Sequence, residues 1–181
     1  MRIIIITSLF LLFTMSCKIK KTNTEKSLKF EEVNNVELEE DSEGNHWINE
    51  MKEGFSDSLV VYLQRTACFG VCPIYVLSIY ENGTVIYEGE KFVDKEGKFR
   101  AMITKEAIQK IQEKALSIDY FKMNEVYDNP NVTDLPSTIT ALQQDLDFKV
   151  VVNRYEAPQP LNSLESYIDE LVENLNWEKL E

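Results

Sequence analysis

The strongest constraint on the fold of this chain is the Asn82-Gly83 dipeptide, which stands between two stretches of β-type alternation. Ile74, Val76, Ser78 and Tyr80 alternate with Tyr75, Leu77 and Ile79 before it, and Val85-Ile86-Tyr87 follows. Asn-Gly is the strongest short hairpin signal, because both central positions of a type I′ turn need positive φ. The spacing therefore predicts an antiparallel hairpin. Its first strand is apolar on both faces, as expected of a strand inside a sheet.

The other elements read outward from that hairpin. Leu59 to Leu63 forms a strand before it, and Lys91-Phe92-Val93 and Phe99 to Ile103 flank Asp94 to Gly97 as a further hairpin or wide bend. Thr104 can cap a helix that has Glu106 in its first turn and Ile108, Ile111, Ala115 and Ile118 along one face. Asn124 to Pro136 reads as loop. Strands at Thr138 to Leu142 and Phe148 to Arg154 are joined by a polar turn at Gln144 to Asp147. After Pro158 and Pro160 a second amphipathic helix carries Leu161, Leu164, Ile168, Leu171, Val172 and Leu175. Strands in runs, with no βαβ alternation, predict an α+β domain in the order ββββαββα. Its antiparallel sheet has about six strands, with two helices packed on one face.

Ahead of this domain lies an export signal. Arg2 is followed by an apolar run from Ile3 to Phe13, interrupted by Thr7 and Ser8, and small residues precede Cys17. The run is short of the roughly 20 apolar residues a spanning helix needs. The arrangement resembles a bacterial lipoprotein signal, which implies cleavage after residue 16 and acylation of Cys17. Thr14 stands where that family usually has leucine, and a Ser-Cys ending with a loose upstream position resembles the signals of Bacteroidetes-type bacteria. Two or three acyl chains, at about 0.8 kcal/mol per buried methylene, hold a protein on a membrane. Residues 17–56 carry Lys18, Lys20 and Lys21 and then many carboxylates, and read as a flexible acidic tether. Basic residues directly after the cysteine favour the outer membrane facing the periplasm. Residues 57–178 are the folded domain.

Charge narrows the partners. The chain carries −12 formally, and losing Arg2 with the leader makes the mature protein −13. Nucleic-acid binding depends on clustered Lys and Arg and is not expected. The expected partners are the membrane, through the acyl anchor, and an envelope protein or ligand that the sequence does not identify. No cofactor is expected beyond the lipid on Cys17.

The stretch with chemistry in it is Arg65-Thr66-Ala67-Cys68-Phe69-Gly70-Val71-Cys72-Pro73-Ile74-Tyr75. With Cys17 assigned to lipid, two cysteines remain in an oxidising compartment, and a Cys68–Cys72 disulfide is the default. Two alternatives stay open. A redox pair needs a thiolate with a depressed pKa, for which Arg65 is a nearby cation, although the spacing is not the thioredoxin-like one. Cys-x-x-x-Cys-Pro also resembles the copper-binding motif of envelope copper chaperones, but those add a downstream histidine and none follows Cys72.

On these residues the chain resembles a family of bacterial lipoproteins and secreted proteins of unknown function bearing Arg-x-x-Cys-Phe-Gly-x-Cys-Pro-x-Tyr. The resemblance runs from about Leu59 to Leu175, takes in Asn82-Gly83, Tyr87-Glu88-Gly89 and Asp134-Leu135-Pro136, and implies no activity.

Catalysis finds little to work with. His46, the one histidine, lies in the tether, so a Ser or Cys nucleophile has no imidazole base in the domain, and no phosphate-cradling glycine loop is present. Asp128 and Asp134 share a loop and could face a divalent ion, but such carboxylates beside Asn and Pro are usually turn formers. Arg65, Phe69 and Tyr75, taken as exposed beside the bridged loop, and Asp128 and Asp134 are the candidate contact surface. The reading is a tethered binding or structural domain, with a thiol-disulfide or copper protein as the alternative.

Overall fold

A computed structural model describes Phe55 and residues 58–180. The expected leader, Cys17 and the tether with His46 lie outside the described residues, except for Phe55 near the end of the tether, which packs on the domain. The strands are β1 (Leu59–Arg65), β2 (Ile74–Tyr80), β3 (Thr84–Lys91), β4 (Gly97–Met102), β5 (Val126–Tyr127), β6 (Thr138–Gln144), β7 (Asp147–Asn153) and β8 (Glu178–Lys179). The helices are α1 (Lys105–Ser117) and α2 (Gln159–Glu173). All the strands join one sheet in the order β5-β7-β6-β1-β2-β3-β4-β8, antiparallel except where β5 runs alongside β7. The α+β expectation holds, and β2 is interior to the sheet.

The sheet has eight strands where about six were expected. The additions, β5 and β8, are two residues each, too short for alternation to show. Backbone bonds define them: Val152 donates to Glu125 at 2.7 Å, Arg154 to Tyr127 at 2.9 Å and Leu180 to Lys98 at 2.8 Å. Strand β5 thus lies within the stretch read as loop. Helix α2 ends at Glu173, so Leu175 falls beyond it.

The hairpin forms at Asn82-Gly83 by a different turn. The Gly83 N–H donates to the Tyr80 carbonyl at 2.9 Å, which makes Glu81 and Asn82 the central pair, and of these three residues Gly83 alone has positive φ, at 88°. This is the three-residue hairpin loop closed by a left-handed glycine, in place of type I′. Asn82 Oδ1 accepts the Thr84 N–H at 2.9 Å, and the Gly83 carbonyl accepts the Ile103 N–H at 2.9 Å. A Cβ on Gly83 would lie 2.4 Å from the Ile103 oxygen, so the position also needs glycine for space.

Both faces of the sheet are apolar. On one, Val61, Leu63, Leu77 and Ile79 meet Ile108, Ile111 and Ala115 of α1 and Leu161, Leu164, Ile168 and Val172 of α2. Thr104 caps α1 as expected, its hydroxyl accepting the Ala107 N–H at 3.3 Å. On the opposite face Leu59, Tyr62, Ile139, Ala141, Val150 and Val152 are buried, with Phe55 set edge-on to Phe148 at 4.5 Å. A register shift between Leu59 and Val61 explains how two residues of like parity in β1 serve different faces.

Candidate functional site

Arg65 ends β1 and Tyr75, the second residue of β2, lies directly opposite it in the ladder, so the two side chains leave the same face of the sheet. That face carries α2. Arg65 Nη2 pairs with Asp169 Oδ2, Nη1 donates to Thr138 Oγ1 at 2.8 Å, and Nε donates to Tyr75 Oη at 3.2 Å. Tyr75 in turn donates its hydroxyl to Asp169 Oδ1 at 2.6 Å. The Arg65 and Asp169 side chains are 26% and 29% exposed, which corrects the reading of Arg65 and Tyr75 as an exposed surface. The correction has a plain cause: a guanidinium at the edge of a core needs acceptors, and Asp169 on α2 supplies one. Burial, and then the bond to Asp169, push the Tyr75 phenol well up.

Cys68 and Cys72 form a disulfide, with Cα atoms 5.9 Å apart. Its loop is braced at the base, where the Thr66 N–H donates to the Ser137 carbonyl at 3.0 Å and the Ser137 N–H donates to Thr66 Oγ1 at 2.7 Å. The tip is open to solvent, with Phe69 91% and Val71 80% exposed. The Phe69 N–H reaches the Asp134 carbonyl at 3.4 Å, so Phe69 and Asp134 adjoin. Asp134 has a left-handed backbone and accepts from Thr133, which is turn chemistry. Asp128 is committed to Arg154, with N···O 2.6 Å. Among the described residues no three His, Cys, Asp or Glu side chains are grouped to hold a metal ion, and no helix is long and apolar enough to cross a membrane.

Beside the Arg65 network, a cleft of about 360 Å³ opens between the C-terminal half of α2 and the β3–β4 connection. One wall is aromatic: Tyr87 lies 5.3 Å from Tyr75 and 5.6 Å from Trp177, ring centre to ring centre. Phe92 lines the opening, half exposed, with a left-handed backbone at φ 57° that bulky residues adopt only at a cost of order 1 kcal/mol. Pro73, Val93 and Val172 complete the apolar lining, and the charged lining residues are Asp94, Asp169, Glu170 and Glu173 against Lys95. Burial, then the charges of Asp94 and Asp169, push the Tyr87 phenol up to about 12.

One turn before Asp169, Glu165 is buried on the same helix at 2% exposure. It accepts from Asn153 Nδ2 at 2.8 Å and from Thr140 Oγ1 at 3.4 Å. Burial raises its carboxyl to about 7, against the opposing effect of the Asn153 bond and of Arg65. Sequence reasoning missed Glu165, Asp169 and the cleft residues Tyr87, Phe92 and Trp177. The available signal was two carboxylates four apart within the apolar stripe of a helix, facing a strand that ends in arginine.

Fold and site together define a class: an α+β domain whose antiparallel sheet is backed by two helices, with a ligand-sized aromatic cleft beside its C-terminal helix. The chain belongs to a family known as a domain of unknown function, DUF6438, which matches residues 59–172, from β1 to the last turn of α2. No curated protein matches it.

Proposed function

We propose that this chain is a lipid-anchored envelope protein whose non-catalytic domain binds a ligand or partner segment in the cleft between α2 and the β3–β4 connection. The observation that carries this reading is the cleft, a volume suited to one small ligand or side chain with mutually tilted aromatic rings along one wall. Support for the anchor comes from the apolar run ending at Cys17, and for the outer membrane facing the periplasm from Lys18, Lys20 and Lys21. Residues 1–16 are then the leader, 17–56 the tether and 57–178 the domain. The Cys68–Cys72 disulfide serves as a brace that shapes the crossover from β1 to β2. A redox or copper role draws less support, because Arg65 is held by Asp169 and Tyr75 and is not free to stabilise a thiolate.

Two experiments test the reading. Intact mass and fractionation of the Cys17→Ser variant should show loss of the acyl mass and release from the membrane; an unchanged distribution overturns the anchor. A fragment mixture titrated against the purified chain should shift the Trp177 indole resonance. Shifts confined to other surfaces overturn the cleft as the binding site.

A further inference from the structure

The chemistry of the cleft points to the class of its ligand. Glu170 and Glu173 stand in the last turn of α2, where the aligned peptide dipoles already place partial negative charge. Carboxylates are stabilising at the other end of a helix and destabilising here, and the last turn holds no basic residue to offset them. Asp94 adds a third carboxylate from the opposite lip, and Lys95 is the one cation among the lining residues. Asp169 is neutralised from behind by Arg65 and adds no net charge. Aromatic faces attract cations through the ring quadrupole, so the aromatic wall and the acidic lip select for the same kind of group.

We propose that the cleft receives the cationic side chain of a lysine- or arginine-containing peptide, its alkyl stem against Tyr87 and Trp177 and its charge between Asp94 and Glu173. This rests on the cleft being a binding site and names what it binds. The negative end of α2, unfavourable in the free protein, is then relieved by the ligand. Other cleft contents, such as neutral or anionic peptides, meet repulsion or leave carboxylates desolvated and unpaired.

The test uses the full chain carrying Trp47→Phe, which leaves Trp177 as the only tryptophan. Three capped tripeptides, glycine-flanked lysine, arginine and norleucine, are titrated while Trp177 fluorescence and indole shifts are followed. Lysine or arginine peptides should bind and the norleucine peptide should bind at least about tenfold more weakly, with affinity falling as salt rises. Glu170→Gln with Glu173→Gln should weaken the cationic peptides about tenfold while leaving the melting temperature unchanged or higher. Equal binding of norleucine, or indifference to salt and to the double substitution, overturns the cationic ligand and leaves the cleft standing as a site. Failure of all three peptides overturns the cationic ligand as well. If the fragment mixture then also leaves Trp177 unmoved, the binding reading itself falls.

Discussion

Replacing Glu165 with glutamine should make the protein more stable at neutral pH and leave it unchanged in mild acid. The buried carboxyl keeps its proton up to about pH 7, while the same group in the unfolded chain releases it near 4.5. Between those values the folded state binds more protons than the unfolded state, so stability falls as pH rises, and it levels off above 7. The displacement from 4.5 to about 7 corresponds to about 3 kcal/mol, and the near-complete burial of the side chain leaves little solvent screening to reduce it. Glutamine preserves the local bonding. Its oxygen accepts from Asn153 and its amide can donate to the Thr140 hydroxyl, the two partners Glu165 has now. Urea denaturation at pH 4 and pH 8 reads the effect directly. The variant and the parent should agree at pH 4, below both values, and Glu165→Gln should be more stable by about 1 to 3 kcal/mol at pH 8. Because other titrating groups are common to both proteins, they cancel in the comparison. Parallel pH profiles, whatever their vertical offset, would refute the reasoning, since an offset alone reports hydrogen bonding and not ionisation.

Three further outcomes are expected. Asp169→Asn leaves the half-buried Arg65 facing a neutral amide and should cost about 1 to 2 kcal/mol in denaturant unfolding, while Tyr75 ionises at lower pH in an ultraviolet titration because its carboxylate acceptor is gone. Gly89→Ala would set a Cβ 1.9 Å from the Lys95 carbonyl oxygen and 2.9 Å from both Tyr87 and Val93, so a melting curve should show a loss above about 2 kcal/mol as the β3–β4 connection is displaced. Removing the disulfide with Cys68→Ser and Cys72→Ser should cost about 2 kcal/mol, the chain-entropy value for so short a loop, and amide relaxation should show new motion at Phe69 to Val71.

The interior of the sheet was legible because its residues carry two independent signals, alternation and turn chemistry. Ile74 to Tyr80 reads as a strand by either. The turn at Gly83 was placed correctly and typed wrongly, since its conformation depends on Ile103, which is remote in sequence. Strands β5 and β8 escaped because two residues have no period, and only their partners Val152 and Phe99 define them. The candidate site was legible at Arg65 and Tyr75 as residue types, and illegible as a network. A helical wheel places Asp169 at the margin of an apolar stripe, but the identity of the group across from it depends on how α2 lies on the sheet. The same holds for Glu165, whose burial is a property of packing and not of its neighbours in the chain. The aromatic wall illustrates the limit: Tyr75, Tyr87 and Trp177 come from β2, β3 and the segment after α2, and nothing local links them.

The two short strands at the margins of the sheet have a bearing on how this domain can meet other proteins. Each presents only two residues of backbone, and the ladder at β8 is reinforced by the Arg100–Glu178 ion pair at 2.7 Å. A visiting strand zips onto a sheet by finding a long ledge of unpaired amides and carbonyls. Strand β5 covers only Val152 and Asn153 of β7, and β8 only Phe99 and Arg100 of β4, so each margin is a broken ledge and not a full-length one. On the β7 side the Lys149 carbonyl is further met by the Tyr120 hydroxyl at 3.4 Å, so a visiting strand would find only short runs of edge on which to pair.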